Sequence, residues 1–338
     1  MTPSPPCTLR PLHDSDDLAA LTALLHQAYA PLGAAGMNFT AVDQTVDQTR
    51  ARVQGGHCLV AVDTGLSEAG AGAGAGAADR LLGTVTLNRA FDPNRQAWAR
   101  ATPWFYRDDV AHLHQYAVAP AAQGRGIGGA LLAAAEAWAL QQGCRAIALD
   151  TALPAHHLRQ RYAAAGYADV GDVQWAGKTY RSAVMLKALG AGAAPGVDDP
   201  AHHAALVRCL WAHFQARDWA AARSLLADDA QLHWVASGEW LLDADAIIRV
   251  QVIYPEGWTL QVLEVTPMPD GRVHSAIRVD HGEQTFYANT LWRFAAGRIA
   301  GATEFWGTAE VPPAWRTADA IGAYRREVDR GAGPEVLP

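Results

Sequence analysis

The run Val118-Ala-Pro-Ala-Ala-Gln123-Gly124-Arg125-Gly126-Ile127-Gly128-Gly129-Ala-Leu-Leu holds the residues best suited to chemistry by type and spacing. A strand ends at Val118, Pro120 interrupts it, and glycines at 124, 126 and 128 open a helix. Glycine lets backbone amides approach an anion closely, and a helix N-terminus adds unpaired N–H groups and a dipole. The pattern predicts a bound phosphate, with Arg125 adding one positive charge. A tight strand-to-helix turn without a ligand is the plain alternative. No Gly-Lys-Ser/Thr follows, which argues against a nucleoside triphosphate. Gly124, Gly126 and Gly129 satisfy the dinucleotide spacing G-x-G-x-x-G, and Asp150 ends the next strand at about the right distance. Against that reading, the first glycine of a dinucleotide fingerprint almost abuts its strand, and here residues 119–123 intervene.

Just before this loop stands Ala-His112-Leu-His114-Gln-Tyr116-Ala-Val118. In a regular strand residues 112, 114, 116 and 118 share one face. Two imidazoles there could relay a proton at neutral pH. They could also chelate a metal, but no third ligand is evident, so no metal is expected. A strand histidine that is merely hydrogen-bonded is the bland alternative. His156-His157 and His202-His203 are adjacent on helices and point about 100° apart, which makes them poor joint ligands. Trp104, Phe105 and Tyr106 precede the histidine strand and would line an acceptor pocket or pack as a surface loop. Cys7, Cys58, Cys144 and Cys209 form no C-x-x-C pair and read as reduced thiols, with Cys144 a core residue.

The elements that must position these groups alternate in the first half. Asp14 reads as the cap of a helix with Leu18, Leu21, Leu24 and Leu25 on one stripe, and a second helix covers about 41–54. A hairpin (57–88) encloses the alternating Gly-Ala run 69–78. The strand 111–118, a helix 126–143, a strand 144–150, a helix 156–166 and two strands at 167–175 and 179–187 complete a mixed α/β layer. A Gly/Ala/Pro-rich segment then marks a boundary. Asp199-Pro200 caps the next helix, and Asp218 a short partner. A strand (230–236), a helix (243–252) and four long strands up to residue 306 follow, joined by Pro269-Asp270-Gly271, His281-Gly282 and Ala296-Gly297 turns. The predicted division is 1–188, a linker 189–200, a second domain 201–310 and a tail 311–338 with one short helix.

The pattern V-x-P-x-x-Q-G-R-G-I-G resembles the acetyl-CoA loop of the GNAT N-acetyltransferases. Tyr162-Ala-Ala-Ala-Gly166-Tyr167 is similar to that family's closing Tyr-x-x-x-Gly-Phe. The order of elements over about 8–187 is similar too. The resemblance implies a mixed central sheet flanked by helices, acetyl-CoA as co-substrate on the backbone of Gln123, Gly124, Arg125, Gly126, Ile127 and Gly128, and pantetheine alongside Tyr116, Ala117 and Val118. It implies Tyr162 as the acid that protonates the departing thiolate. Ala155 stands where the family often has Asn, so that contact is absent or supplied otherwise. The Ala-His-Leu-His-x-x-Ala-Val strand is similar to that of arylalkylamine N-acetyltransferases, which implies His112 and His114 in deprotonating the amine. That chemistry is sensible, because an amine with a pKa near 10 must lose a proton before it attacks a thioester.

Residues 201–310 resemble the nuclear transport factor 2-like superfamily, SnoaL-like type, through WAHFQARDWAAARSLLADDA, YPEG and EFWG. This implies a cone-shaped α+β domain with a curved antiparallel sheet. His233, Glu304 and Trp306 are its candidate pocket residues, with His233 and Glu304 an expected acid–base or ligand-orienting pair. A homodimer through the sheet is a further expectation.

The chain has 338 residues, half of them hydrophobic, and a net charge of −7, all of which arises beyond residue 190. Neither half is basic, so no nucleic-acid partner is expected. No signal peptide or membrane span is evident, and a cytoplasmic protein is expected. The expected activity is acetyl transfer from acetyl-CoA to a small-molecule primary amine or a protein N-terminus. Two alternatives stand beside it: an acyl-CoA or small-molecule sensor without turnover, and a separate isomerase- or cyclase-type activity in the second domain.

Overall fold

The computed structural model describes residues 7–63, 80–94, 102–192 and 194–324. The Gly-Ala run 69–78 and the chain beyond 324 lie outside these residues. Two sheets organise the molecule. The first contains β1 (Thr8–Pro11), β2 (His57–Val62), β3 (Leu81–Asn88), β4 (Val110–Val118), β5 (Ala146–Ala152), β6 (Ala168–Val173) and β7 (Ser182–Ala188). Its order is β1-β2-β3-β4-β5-β7-β6, antiparallel throughout except for the β4–β5 pair.

The helices on its faces are α1 (Leu18–Ala34), α2 (Thr40–Asp43), α3 (Val46–Gln54), α4 (Ile127–Gln141) and α5 (His156–Ala164). Asp17, not Asp14, caps α1, its side chain accepting from Ala19 N–H at 2.8 Å. The helix expected at 41–54 is broken at Gln44 and restarts at Thr45, whose hydroxyl and Gln48 form a reciprocal capping box. Trp104, Phe105 and Tyr106 do not form a surface loop. They make a buried 3-10 turn, Pro103–Tyr106, against the core.

The second sheet contains β8 (Leu226–Trp234), β9 (Glu239–Leu241), β10 (Trp258–Pro267), β11 (Val273–His281), β12 (Gln284–Ala295) and β13 (Arg298–Thr308), in the order β10-β11-β12-β13-β8-β9. Helices α6 (Pro200–Gln215), α7 (Trp219–Ser224) and α8 (Ala244–Ile253) cover one face, and α9 (Ala318–Ile321) lies in the tail. The sheet is not wholly antiparallel as expected, because β8 enters beside β13 in parallel. Strand β9, helix α8 and strands β10 to β12 lie between β8 and β13 in the chain, a connection long enough to return it to the same end of the sheet.

Contacts between the halves are polar and apolar. The fully buried Arg107 binds both carboxylate oxygens of Asp109 and the Asp199 carboxylate, each at 2.9 Å, and the Gly196 carbonyl at 2.9 Å. Asp199 also caps α6 through His202 N–H. One buried cluster runs from Phe91, Trp104, Phe105 and Tyr106 through α6 into the second sheet. Among the described residues no helix is long and apolar enough to cross a membrane.

Candidate active site

The first sheet splits where β4 meets β5. The two strands pair only from Val110↔Ala146 to His112↔Ala148, although β4 continues to Val118 and β5 to Ala152. A bulge accompanies the split. The register to β3 slips one residue between Thr86↔His114 and Thr84↔Ala117, and Gln115 adopts a left-handed φ of 51°. An extra residue bends a strand and reverses which face its later side chains take. The face expected for 112, 114, 116 and 118 therefore holds for the two histidines alone. Tyr116 and Val118 pack with Ile127 and Leu131 of α4, while Ala117 lies against Leu24 and Leu25 of α1.

The Gly-rich loop lies at one end of the gap. Gln123 to Gly126 are exposed. Gly124 and Gly126 hold φ of 76° and 80°, a region that a side chain disfavours, and Gly126 is the N-cap of α4. The first intrahelical bond runs from Ala130 N–H to Gly126 C=O, so the amides of Ile127, Gly128 and Gly129 precede the helical ladder. A Cβ on Gly128 would stand 2.5 Å from Tyr116 Oη, so a side chain there would have to displace the Tyr116 hydroxyl. These features fit a pyrophosphate on the loop with an extended chain along the open edge of β4.

Polar side chains gather on the other side. His112 and Asp150 share a face because His112 pairs with Ala148, two residues before Asp150. His112 Nε2 stands 3.9 Å from Asp150 Oδ1, a charge contact and not a hydrogen bond. Neither ring nitrogen of His112 has a hydrogen-bond partner. Its ring stacks on Phe105 at 3.9 Å and meets Phe91 edge-on. Trp175 Nε1 donates to Asp150 Oδ2 at 2.9 Å. His114 is held differently. Its Nδ1 accepts from Arg52 Nη2 at 3.3 Å, which leaves Nε2 to donate to Asn88 Oδ1. Tyr162 is buried, with ring centroid 6.2 Å from Tyr116, and Tyr29 Oη donates to the Tyr116 carbonyl.

The second half encloses a cavity of about 370 Å³ between its sheet and helices. Glu304 and Trp306 line it, but His233 does not. In the parallel register β13 sets Glu304 opposite Trp234 and Thr303 opposite His233, so Trp234 takes the inner place. His233 stacks on the exposed Trp240 at 4.2 Å instead. The expected His233–Glu304 pair is thereby corrected.

Residues 42–167 match the sequence model of the acetyltransferase (GNAT) family. The first half of the chain carries a GNAT acetyltransferase domain. Over 69 residues, 20% of this chain, it is 39% identical to aminoglycoside N(6')-acetyltransferase type 1 of Klebsiella aerogenes, and the match spans 45% of that relative. A GCN5-related N-acetyltransferase from Kribbella flavida is similar in structure, at 22% identity and a TM-score of 0.38, covering 54% of this chain and 98% of that one. The second half is similar to an NTF-2 like protein of unknown function from Burkholderia xenovorans, at 16% identity and a TM-score of 0.32, covering 36% of this chain and 93% of that one.

Acidities in the GNAT cleft follow from burial and neighbours. Burial pushes the Tyr162 phenol well above its ordinary value, helped by Tyr29 and Tyr116, so it stays protonated at neutral pH. Burial also lowers His112 despite Asp150, and it holds His114 well down, aided by the Arg52 charge. For Asp150 burial acts upward, but the facing His112 and the Trp175 indole outweigh it, and its carboxyl lies below the usual value. Sequence spacing marks Asp150 only through the dinucleotide fingerprint. The pairing of His112 with Ala148 is the signal that gives it a second role, and spacing along one strand cannot supply it.

Proposed function

We propose that the chain is an acetyl-CoA-dependent N-acetyltransferase for a small primary amine, acting by direct transfer, with residues 1–188 as the transferase unit and 201–310 as a ligand-binding unit. The observation that carries it is the Gly-rich helix start at the end of the β4–β5 gap, beside Tyr116, whose ring stands 6.2 Å from that of Tyr162. The amides of Gln123 to Gly128 would bind the pyrophosphate, and the β4 backbone at Tyr116–Val118 would align pantetheine. Asp150 supplies a carboxylate for the incoming ammonium. Proton loss runs to Asp150 and His112, whose free ring nitrogens suit a relay, while His114 is committed to Arg52 and Asn88. The amine nitrogen bonds to the acetyl carbon as the carbon–sulfur bond breaks, Tyr162 gives its proton to the sulfur, and the proton shed by the acylated nitrogen restores the Tyr162 phenol. Product is the acetamide and free CoA thiol.

The relative's name makes aminoglycosides one amine class to include. The acidic cleft residue and the near-neutral first half suit a cationic small molecule. The test is thermal unfolding with acetyl-CoA and, separately, NADH, followed by thiol release across an amine panel that includes kanamycin and tryptamine. At 100 times its dissociation constant a ligand stabilises its site by about 2.7 kcal/mol. A shift with acetyl-CoA and amine-dependent thiol release are expected. A shift with NADH alone would overturn the proposal. CoA binding without turnover on any amine would favour a sensor.

A further inference from the structure

The second cavity differs from a plain apolar hole in one respect. Phe214, Trp258, Phe286 and Trp292 contribute to a largely apolar wall, and among the described residues Glu304 is its one acidic lining residue. Glu304 is 3% exposed. Its Oε1 accepts from Trp234 Nε1 at 2.8 Å and Trp306 Nε1 at 2.7 Å, and its Oε2 accepts from Thr290 Oγ1 at 2.6 Å. Among the described residues no Lys, Arg or His lines the cavity, and no basic side chain pairs with Glu304. A carboxylate offers about four acceptor directions. Three are taken by neutral donors here, and one is left for a ligand. A buried carboxylate without a cation is costly, and a cation delivered by a ligand removes that cost. The aromatic wall would accept the ligand's apolar body and attract its charge. Tyr254 and Trp306, 39% and 37% exposed, mark the entrance.

We propose that this cavity binds an apolar monocation, a protonated amine on an aromatic or alicyclic body, with Glu304 as its counter-ion. The proposal rests on reading the cavity as a ligand site and names its ligand class. One carboxylate in an apolar wall suits a single positive charge. A polyhydroxylated polycation would leave its other charges and hydroxyls unpaired there.

The test uses the full chain labelled with 5-fluorotryptophan. The Trp234 and Trp306 resonances are assigned through Trp234→Phe and Trp306→Phe, and Trp175 reports the acetyltransferase cleft separately. Three probes share one ring system: 1-naphthylmethylamine, 1-naphthalenemethanol and 1-naphthoate. The amine should shift the Trp234 and Trp306 signals and bind about tenfold or more tighter than the alcohol, the anion being weakest. Glu304→Gln should bring the amine and alcohol within about twofold, the loss expected when a charge-assisted contact becomes neutral. Equal binding of amine and alcohol at those signals would overturn the counter-ion while leaving the ligand site intact. So would an amine preference that survives in Glu304→Gln. If no probe moves either signal, both readings fail. The comparison of the three probes in the unsubstituted chain decides the question even if the variant does not fold.

Discussion

Asp150 and Glu304 are carboxyls under aromatic cover, one in each half of the chain, the first half-buried and the second buried, yet their acidities move in opposite directions. Burial raises Glu304 above its usual value, and its three hydrogen bonds, from Thr290, Trp234 and Trp306, only reduce the rise. Burial acts the same way on Asp150, but a facing imidazole joins the indole donor and reverses the sign. Neutral donors offset part of a carboxylate's desolvation; a partner that can carry charge offsets the rest. The cleft supplies its own proton partner and is equipped for transfer. The cavity lacks a cation and is equipped to receive one.

The largest effect is expected at Tyr162. Tyr162→Phe keeps the ring and removes the acid, so turnover should fall about 10²-fold, and thiol release after rapid mixing would measure it. Amine binding to the C-terminal cavity should not change. Asp150→Asn should raise the amine KM about tenfold with a smaller change for acetyl-CoA, because a charge-assisted contact is lost. An unchanged amine KM would remove Asp150 from acceptor binding.

Two smaller effects concern stability against pH. Glu304 has a raised value in the folded chain, so its contribution to stability is complete below its ordinary value near 4.5 and declines as pH rises through the folded value. Glu304→Gln should therefore stabilise the ligand-free protein by about 1–2 kcal/mol at pH 7 in urea unfolding, and the gain should vanish toward pH 4. The two histidines work in the opposite sense. Their lowered values mean stability is complete above the ordinary 6.5 and is lost as pH falls below it. His112→Gln should flatten the loss between pH 6.5 and 5 by about 1 kcal/mol, since a tenfold difference in proton affinity between the folded and unfolded chain is worth roughly 1.4 kcal/mol. A slope equal to that of the unsubstituted chain would show that His112 titrates normally.

Much of this is legible in the residues. The Q-G-R-G-I-G run marks the loop because only glycine tolerates its backbone. Asp199-Pro200 and the Asp-Gly and His-Gly turns mark the second half's elements through local rules. What escapes depends on pairing across the sheet. The bulge at Gln115 places a non-glycine residue at positive φ, with no composition signal, and it reverses the faces of Tyr116 and Val118. The parity of β8 is set by its parallel register with β13, so alternation alone could not show that Trp234 and not His233 faces Glu304. Asp199 joins the near neighbour Asp109 on Arg107 from far along the chain, and no spacing rule brings it there.

The ring of Phe105 rests on His112, and α6 packs against the turn that carries Phe105. The same helix lends Leu210, Trp211 and Phe214 to the cavity wall. The halves are therefore not exchangeable modules joined at residues 189–200. A chimera that replaced only the chain after residue 200 would strand Trp104, Phe105 and the guanidinium of Arg107 without the surfaces they were shaped for. Any transplant of the C-terminal unit must carry residues 102–109 as part of its graft, and calorimetry of the parent chain should show both halves melting in one transition.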